Sequence, residues 1–484
     1  MNLVVVSNRV ARPSADEPPT GGLAAALLPV VKTSGAIWVG TYSRKGRPSK
    51  ESLAEIETLG NGALASVDVP QEDYARFYGG FANSALWPVL HSRPDLIKAN
   101  EEDFSAYGRV NALMAKALLR FRKSDTAFWV HDYHFLPLGS ALRRLGVDQP
   151  IGFFLHTPFP AYNILASLPH HRDVLSAMLA YDLIGFQTDE DKANFANYAE
   201  KELGLARVGD TLFSEQGMTR IGVFPIGIDA DVFADRAVKA YARPQVTRLR
   251  SSLQGAKLAI GVDRVDYSKG LVNRFRAIDA MLTAQPSLKG TVSMLQIAVP
   301  SRVEIGTYQD LHAELAGLVG DINGRHGEVD WTPIRYLNKG FTQETLAGFY
   351  RSAQVGVVTP LHDGMNLVAK EYVAAQNPFD PGVLVLSEFA GAAKQLDAAL
   401  LVNPHDIEGV ARAMIKAFSM PRDERRERWS AMMDTLGNSS LSAWFSGFVD
   451  TLAASAPART TRRPRIAAVS AAPRPTEIAA AQAH

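Results

Sequence analysis

The sequence predicts an α/β protein built from two doubly wound, mainly parallel sheets, with the active site in the cleft between them. Three observations lead there. Short apolar or β-branched runs alternate with segments of helical period. The chain's 484 residues exceed one ordinary domain. Midway, the strand-like IGVFPIGID gives way to the polar stretch DADVFADRAVKAYARPQVTRLRSSLQ before a new strand opens at Leu258.

The strands read in order as 3–7, 36–40, 126–132, 151–157 and 183–188, then 258–264, 293–299, 355–360 and 382–387. Between them lie periodic stretches such as VNALMAKALLRF and LPLGSALRRLG. Strand–helix alternation of this kind implies crossovers on both faces of a parallel sheet. We divide the chain into residues 1–235, 236–455 and 456–484. The last segment, rich in Ala, Pro and Arg with almost no large apolar residues, reads as a disordered tail. Ligands of doubly wound sheets sit at the carboxyl ends of strands, which directs attention to the interdomain cleft.

Composition narrows the function. Apolar content of 46% and charged content of 21% fit a globular protein with large cores. A formal net charge of +1 argues against nucleic-acid or acidic-membrane partners. With no cysteine, disulfides, thiolate zinc sites and cysteine nucleophiles are excluded. The start MNLVVVSNRV has neither a basic leader nor a sustained apolar run, and no segment approaches the roughly 20 apolar residues of a membrane span. The expectation is a cytoplasmic enzyme.

The loops after the strands carry the chemistry. Ser7-Asn8-Arg9 follows the first strand, and Gly21-Gly22 then opens a helix; paired glycines there serve either a simple turn or close approach to a phosphate or sugar. No GxGxxG follows that strand, which argues against a dinucleotide fold. The run Asp263-Arg264-Val265-Asp266-Tyr267-Ser268-Lys269-Gly270 places two cations where they could clamp a diphosphate, or form a surface ion-pair cluster with the two aspartates. His131-Asp132-Tyr133-His134 and His156 end two strands, and His170-His171 follow. Their spacing does not match a metal site, and polar groups for sugar hydroxyls explain them better. Asp189-Glu190-Asp191 reads as the first turn of a helix. In TPLHDGMNLVAKEYVAAQ, Asp363-Gly364-Met365-Asn366 before a helix carrying Glu371 reads equally as capping or as an anion site.

Taken together and in order, VVVSNRV, GGLAAAL, FANSALWPVLH, YGRVNALMA, HDYHFLPL, IGFFLHTPFP, DLIGFQT, FPIGID, DRVDYSKG, WTPIRYLN, LHDGMNLVAKEYVAAQ and GVLVLSEFAGAA resemble the trehalose-6-phosphate synthase family over about residues 1–450. The resemblance implies retaining glucosyltransferases of two Rossmann-like domains, the GT-B architecture. It implies that Arg9 and Arg302 hold the phosphate of glucose-6-phosphate, and that Tyr78, Trp87 and Asp132 line the acceptor sugar. Gly21, Gly22, Arg264 and Lys269, with backbone amides at Leu367 and Val368, would meet the donor diphosphate. Phe341 would lie beside the base, Glu371 on the ribose, and Asp363 and His156 on the transferred glucose, with Gly364, Met365 and Asn366 also among the substrate-binding residues. Asp132, His156, Arg264, Lys269 and Asp363 are the residues assigned to catalysis.

The implied substrates are UDP-glucose, or another nucleoside diphosphate glucose, and glucose-6-phosphate. No cofactor or metal is called for, because the two cations and the helix amides supply positive charge to the leaving group. Which nucleotide is preferred and whether the chain forms a homo-oligomer stay open. Other readings are transfer to a different phosphorylated acceptor such as glycerol-3-phosphate, and a catalytically silent sugar-phosphate sensor. The chain departs from the family in two places: Ile37-Trp38-Val39-Gly40-Thr41-Tyr42 stands where a Trp-x-Gly-Trp loop is usual, and His362 where an arginine is common. No D-x-D-x-[TV] phosphatase motif is present, the nearest run being DADVF at 229–233, so a separate phosphatase is expected to act on the product.

Overall fold

A computed structural model describes residues 2–10, 22–42 and 53–455 of the chain. Gly21 and the expected tail at 456–484 lie outside these residues. Every expected strand is present, each on one of two sheets.

The first sheet contains β1 (Asn2–Val6), β2 (Ile37–Tyr42), β3 (Leu53–Leu59), β4 (Gly62–Asp68), β5 (Thr126–His131), β6 (Ile151–Phe154), β7 (Leu183–Phe186), β8 (Ala206–Val208), β9 (Thr211–Ser214) and β10 (Gly217–Val223). Their order is β3-β4-β2-β1-β5-β6-β7-β10-β9-β8. From β4 to β10 all neighbours are parallel, and antiparallel hairpins close both edges. The chain winds outward from β1 through β2, then crosses to β5 on β1's other side. That reversal is the switch point at which a doubly wound sheet opens a crevice.

The second sheet contains β11 (Lys257–Arg264), β12 (Val292–Val299), β13 (Ile334–Leu337), β14 (Val355–Val358), β15 (Val383–Ser387) and β16 (Leu400–Val402). It is parallel throughout in the order β13-β12-β11-β14-β15-β16, so its switch point lies between β11 and β14. The central strands are buried on both faces, as continuous apolar runs such as LAIGV and VGVV require.

The chain crosses between the sheets twice. The outgoing segment and the return lie in contact: a Cβ on Gly227 would stand 1.7 Å from the Ser439 carbonyl oxygen, so only glycine fits. Beyond the second crossing, helix Leu441–Ser455 lies on the first sheet, although it falls in the stretch 236–455 assigned above to the second unit. The Trp444 and Phe448 rings stand 4.9 and 4.7 Å from the Trp129 ring, and Gly152 and Gly185 leave room for Phe448. This apolar cluster clasps the second unit's last helix to the first unit.

The segment 37–42, where the chain departs from the family's Trp-x-Gly-Trp pattern, is β2, which contains most of the expected strand 36–40 and is in register with both β1 and β4. Its branched and aromatic residues pair as a buried strand, and the Thr41 amide donates to the Asn8 carbonyl at 2.8 Å. That contact puts the end of β2 beside the Arg9 loop.

Candidate active site

The carboxyl ends of β1, β5, β6 and β7 face those of β11, β12, β14 and β15. The loop after β11 supplies the first cations. Its two aspartates do not form a surface cluster with Arg264 and Lys269, because both carboxylates turn inward to other arginines. Asp263 takes Nη1 of the buried Arg274 at 2.5 Å, and Asp266 takes Nη1 of Arg302 at 2.9 Å. Arg274 also donates to Gln296 (2.8 Å), to Thr359 (3.0 Å) and to the Lys269 carbonyl (3.3 Å). One guanidinium thus joins β11, β12 and the loop after β14 beneath the site.

Gly270 ends this loop with φ +65°, and a Cβ there would fall 2.3 Å from the Thr359 carbonyl oxygen. The Ser268 carbonyl accepts from the Leu361 amide at 2.7 Å, so the loops after β11 and β14 are laced together. This lacing brings Lys269 Nζ to 2.6 Å from Asp363 Oδ2. Burial alone would raise the Asp363 carboxyl, but the ammonium beside it holds it below its ordinary value.

The run 363–371 contains the helix cap, and its first turn stays open at the helix start. Asn366, at φ +76°, caps helix Leu367–Ala375 by accepting from the Ala369 amide at 3.3 Å and also donates to Asp363 at 3.0 Å. The amides of Leu367 and Val368, in the first turn, have no carbonyl partner within the helix. Glu371 follows one turn later on the same face, where burial pushes its carboxyl up to about 7. Gly364 and Met365 are fixed from behind: Gly391 donates to the Asp363 carbonyl at 3.0 Å, and Ala392 to the Met365 carbonyl at 2.8 Å. Across the cleft, Gly364 backs onto the His156 carbonyl so closely that a Cβ would stand 2.1 Å away.

A second group gathers around Arg302, after β12. Its guanidinium lies 3.9 Å over the Trp87 ring and donates to Asp266, to Tyr133 Oη at 3.2 Å and to Tyr308. Trp87 Nε1 donates to Asp266 at 3.3 Å, and Arg264 stands 5.7 Å from the same ring. Asp266 is fully buried, which would raise its pKa; the cations Arg302, Arg264 and Lys269 prevail and hold it at about 2. Arg9 lies 4.9 Å over the Tyr78 ring and donates to Tyr74 at 3.3 Å. Tyr78 in turn stacks on His134 at 5.8 Å. Three arginines and the rings of Trp87, Tyr133, Tyr308, Tyr74 and Tyr78 thus converge from both sheets.

Asp132 follows β5 at φ +72°, a strained conformation that aims it into the crevice. Burial pushes its carboxyl up to about 6, against the His156 amide that donates to it at 3.3 Å and against the nearby arginines. His156 is held near 3 by burial and is therefore neutral. Its ring contacts His131 at 3.0 Å and Gln187 at 3.4 Å.

Of the remaining expected residues, Gly22 begins helix Gly22–Ser34. Phe341, after β13, packs on Phe349 with the Lys339 ammonium 5.3 Å over its ring. Among the described residues, no group of three or more His, Cys, Asp or Glu is placed to hold a metal ion. His170 pairs with Glu101 at 2.9 Å and His171 with Tyr198 at 2.5 Å, away from the cleft. Asp189–Asp191 form a helix first turn capped by Thr188, as expected. Among the described residues, no helix is long and apolar enough to cross a membrane. Sequence reasoning missed Arg274, Gln187 and the buried Lys370, and gave Asp266 no role beyond a surface ion pair. Arg274 sits at an apolar helix position beside Phe275, and only the buried carboxylate opposite explains it.

These loops match known proteins. The model of glycosyltransferase family 20 matches residues 4–454. The trehalose-6-phosphate synthase of Sinorhizobium fredii is 45% identical over 457 residues, covering 94% of this chain and 98% of the relative. That of an Enterobacter species is 43% identical over 456 residues, covering 94% and 96%. The crystal structure of a UDP-forming α,α-trehalose-phosphate synthase from Burkholderia xenovorans in complex with glucose-6-phosphate superposes with a TM-score of 0.90 at 43% identity, covering 94% of this chain and all of that one (100%). The structure of trehalose-6-phosphate synthase from E. coli bound with UDP-2-fluoro glucose gives 0.88 at 40% identity, covering 93% and 99%.

Proposed function

The chain belongs to glycosyltransferase family 20, and from that membership we propose that it moves glucose from UDP-glucose to glucose-6-phosphate with retention, giving α,α-trehalose 6-phosphate and UDP. The observation that supports this most is the buried Asp266. It ties Trp87 and Arg302, assigned to the acceptor, to the loop carrying Lys269, assigned to the donor.

The donor diphosphate lies against Arg264, Lys269 and the amides of Leu367 and Val368 at the helix start, with Gly22 assigned to the same group; Gly21, also assigned to it, lies outside the described residues. Charge grows on its departing oxygen as the C1–O bond breaks, and fixed cations and amides stabilise that charge without reorganising. Glu371 takes the ribose hydroxyls, Phe341 flanks the base, and Asp363 and His156 take hydroxyls of the transferred sugar beside Gly364, Met365 and Asn366.

The acceptor phosphate sits between Arg9 and Arg302. Tyr78, Trp87 and Asp132 hold its ring, which favours a sugar phosphate over a smaller phosphorylated acceptor such as glycerol-3-phosphate. The acceptor hydroxyl attacks C1 from the face the diphosphate leaves, and its proton passes to the departing phosphate oxygen. No protein nucleophile takes part, because each nearby carboxylate already has a hydroxyl-binding or pairing task. Nor does this step call on a metal, because Arg264, Lys269 and the helix start provide the positive charge. The reaction belongs in the cytoplasm, and a separate phosphatase consumes the product.

Stoichiometric release of the nucleoside diphosphate on mixing UDP-glucose with glucose-6-phosphate tests this reading, with ADP- and GDP-glucose and glycerol-3-phosphate as comparators. Release with the other acceptor alone would overturn the substrate assignment. Binding of both ligands with no release would make the chain a sensor.

A further inference from the structure

Gln187 follows β7 and is only 2% exposed, yet the reaction as described gives it no part. Its Oε1 accepts from the Ile226 amide at 2.9 Å. A backbone N–H can only donate, so this contact fixes which way the side-chain amide points. The amide nitrogen Nε2 therefore faces His156 Nδ1, at 3.4 Å. An amide NH₂ donates, so Nδ1 must be an acceptor. Neutral imidazole carries one ring proton, and that proton is then on Nε2, shared with His131 Nδ1 at 3.0 Å.

The arrangement is rigidly seated. The Ile226 carbonyl accepts from Lys370 Nζ at 2.6 Å, and the same ammonium donates to Gln395 Oε1 at 2.6 Å. Both backbone polar groups of Ile226, its N–H and its carbonyl, are thus held where the chain crosses between the sheets. The opposite tautomer of His156 would set two N–H donors face to face at Gln187.

We propose that Gln187 is a positioning residue that fixes His156 as the Nε2–H tautomer, so that its ring proton goes to His131 Nδ1 and the imidazole is held in one orientation where it meets the transferred sugar. The inference rests on the assignment of His156 to the transferred glucose, but its spectroscopic arm needs no substrate. The two can therefore fail separately.

The test uses the full chain labelled with ¹⁵N in its histidine rings, with His156→Gln to assign the signals. The wild type should show His156 Nδ1 unprotonated and Nε2 protonated. Gln187→Glu keeps an acceptor for the Ile226 amide but turns a second oxygen toward Nδ1, which should draw the proton there. As the ring loses its fixed orientation, this variant should raise the donor KM at least about threefold, with the acceptor KM within about twofold. Gln187→Met, which can do neither, should give mixed tautomers. A wild-type spectrum with the proton on Nδ1 would overturn the proposal, and that measurement stands even if a variant does not fold. An unchanged donor KM in a Gln187→Glu protein whose tautomer has switched would overturn the link to the sugar.

Discussion

Replacing Arg302 by alanine should have two separable consequences. Its guanidinium side chain is 3% exposed, stacked on Trp87, and paired with an Asp266 carboxylate that has no exposure at all. Loss of a charge-assisted contact to the acceptor phosphate costs about 1.5–3 kcal/mol, or about 10- to 150-fold in acceptor KM. Removing one partner of a buried pair costs about 3–5 kcal/mol of stability. The lower figure applies here, because Asp266 keeps its bonds from Ser268 (3.0 and 2.9 Å) and from Trp87 (3.3 Å).

The pH dependence follows from the Asp266 pKa of about 2, below its ordinary value despite burial. A depressed folded-state pKa adds stability that is fully present above about pH 4 and is lost as pH falls toward 2. Without Arg302 the acid-unfolding midpoint should therefore move upward. Adding Asp266→Asn to Arg302→Ala removes the stranded charge, so stability should return in part while the acceptor KM stays high. Denaturant melts and steady-state kinetics at saturating donor read the two effects. Equal rises in donor and acceptor KM, or recovery of the acceptor KM in the double variant, would refute the reasoning.

Lys269→Ala and Arg264→Ala should each lower turnover about 10²-fold, as loss of preorganised charge at a leaving group does, and single-turnover rates would show it. Gly364→Ala should force the loop off the His156 carbonyl; a displacement near 1 Å at a reacting centre costs about 10²-fold in turnover, with melting temperature a control for simple unfolding. Glu371→Gln should raise the donor KM about tenfold. Because burial raises the Glu371 pKa to about 7, its ionised form disfavours the folded state increasingly as pH rises from about 4.5 to 7. The glutamine variant should accordingly melt higher than wild type at pH 8 and no higher at pH 4.

Much of the fold was legible because parallel strands buried on both faces leave uninterrupted apolar runs, as in VVV of β1 and VGVV of β14. The hairpin of β3 and β4 lacks that signature: it lies at an edge, and LAEIETL alternates polar residues with apolar ones. Its turn at Gly60-Asn61, with Gly60 at φ +60°, was the available signal. Strands β8, β9 and β16 are too short and too exposed to stand out. At the site, residues ending strands could be picked out because a charged loop after an apolar run is conspicuous. The roles of Asp266 and Arg274 could not be, since their partners lie 36 and 11 residues away and only folding brings them together. Gln187 was hidden for the same reason: its meaning depends on Ile226, at the crossing between the sheets.

The account turns on the face from which the acceptor attacks. Proton NMR of the fresh product from UDP-glucose and glucose-6-phosphate tests that directly. Two α-anomeric signals, appearing together and in step with released UDP, are the predicted result. A β-anomeric coupling at the transferred glucose would contradict it, because inversion needs a base behind the acceptor hydroxyl that this arrangement of Asp132, His156 and Asp363 does not assign.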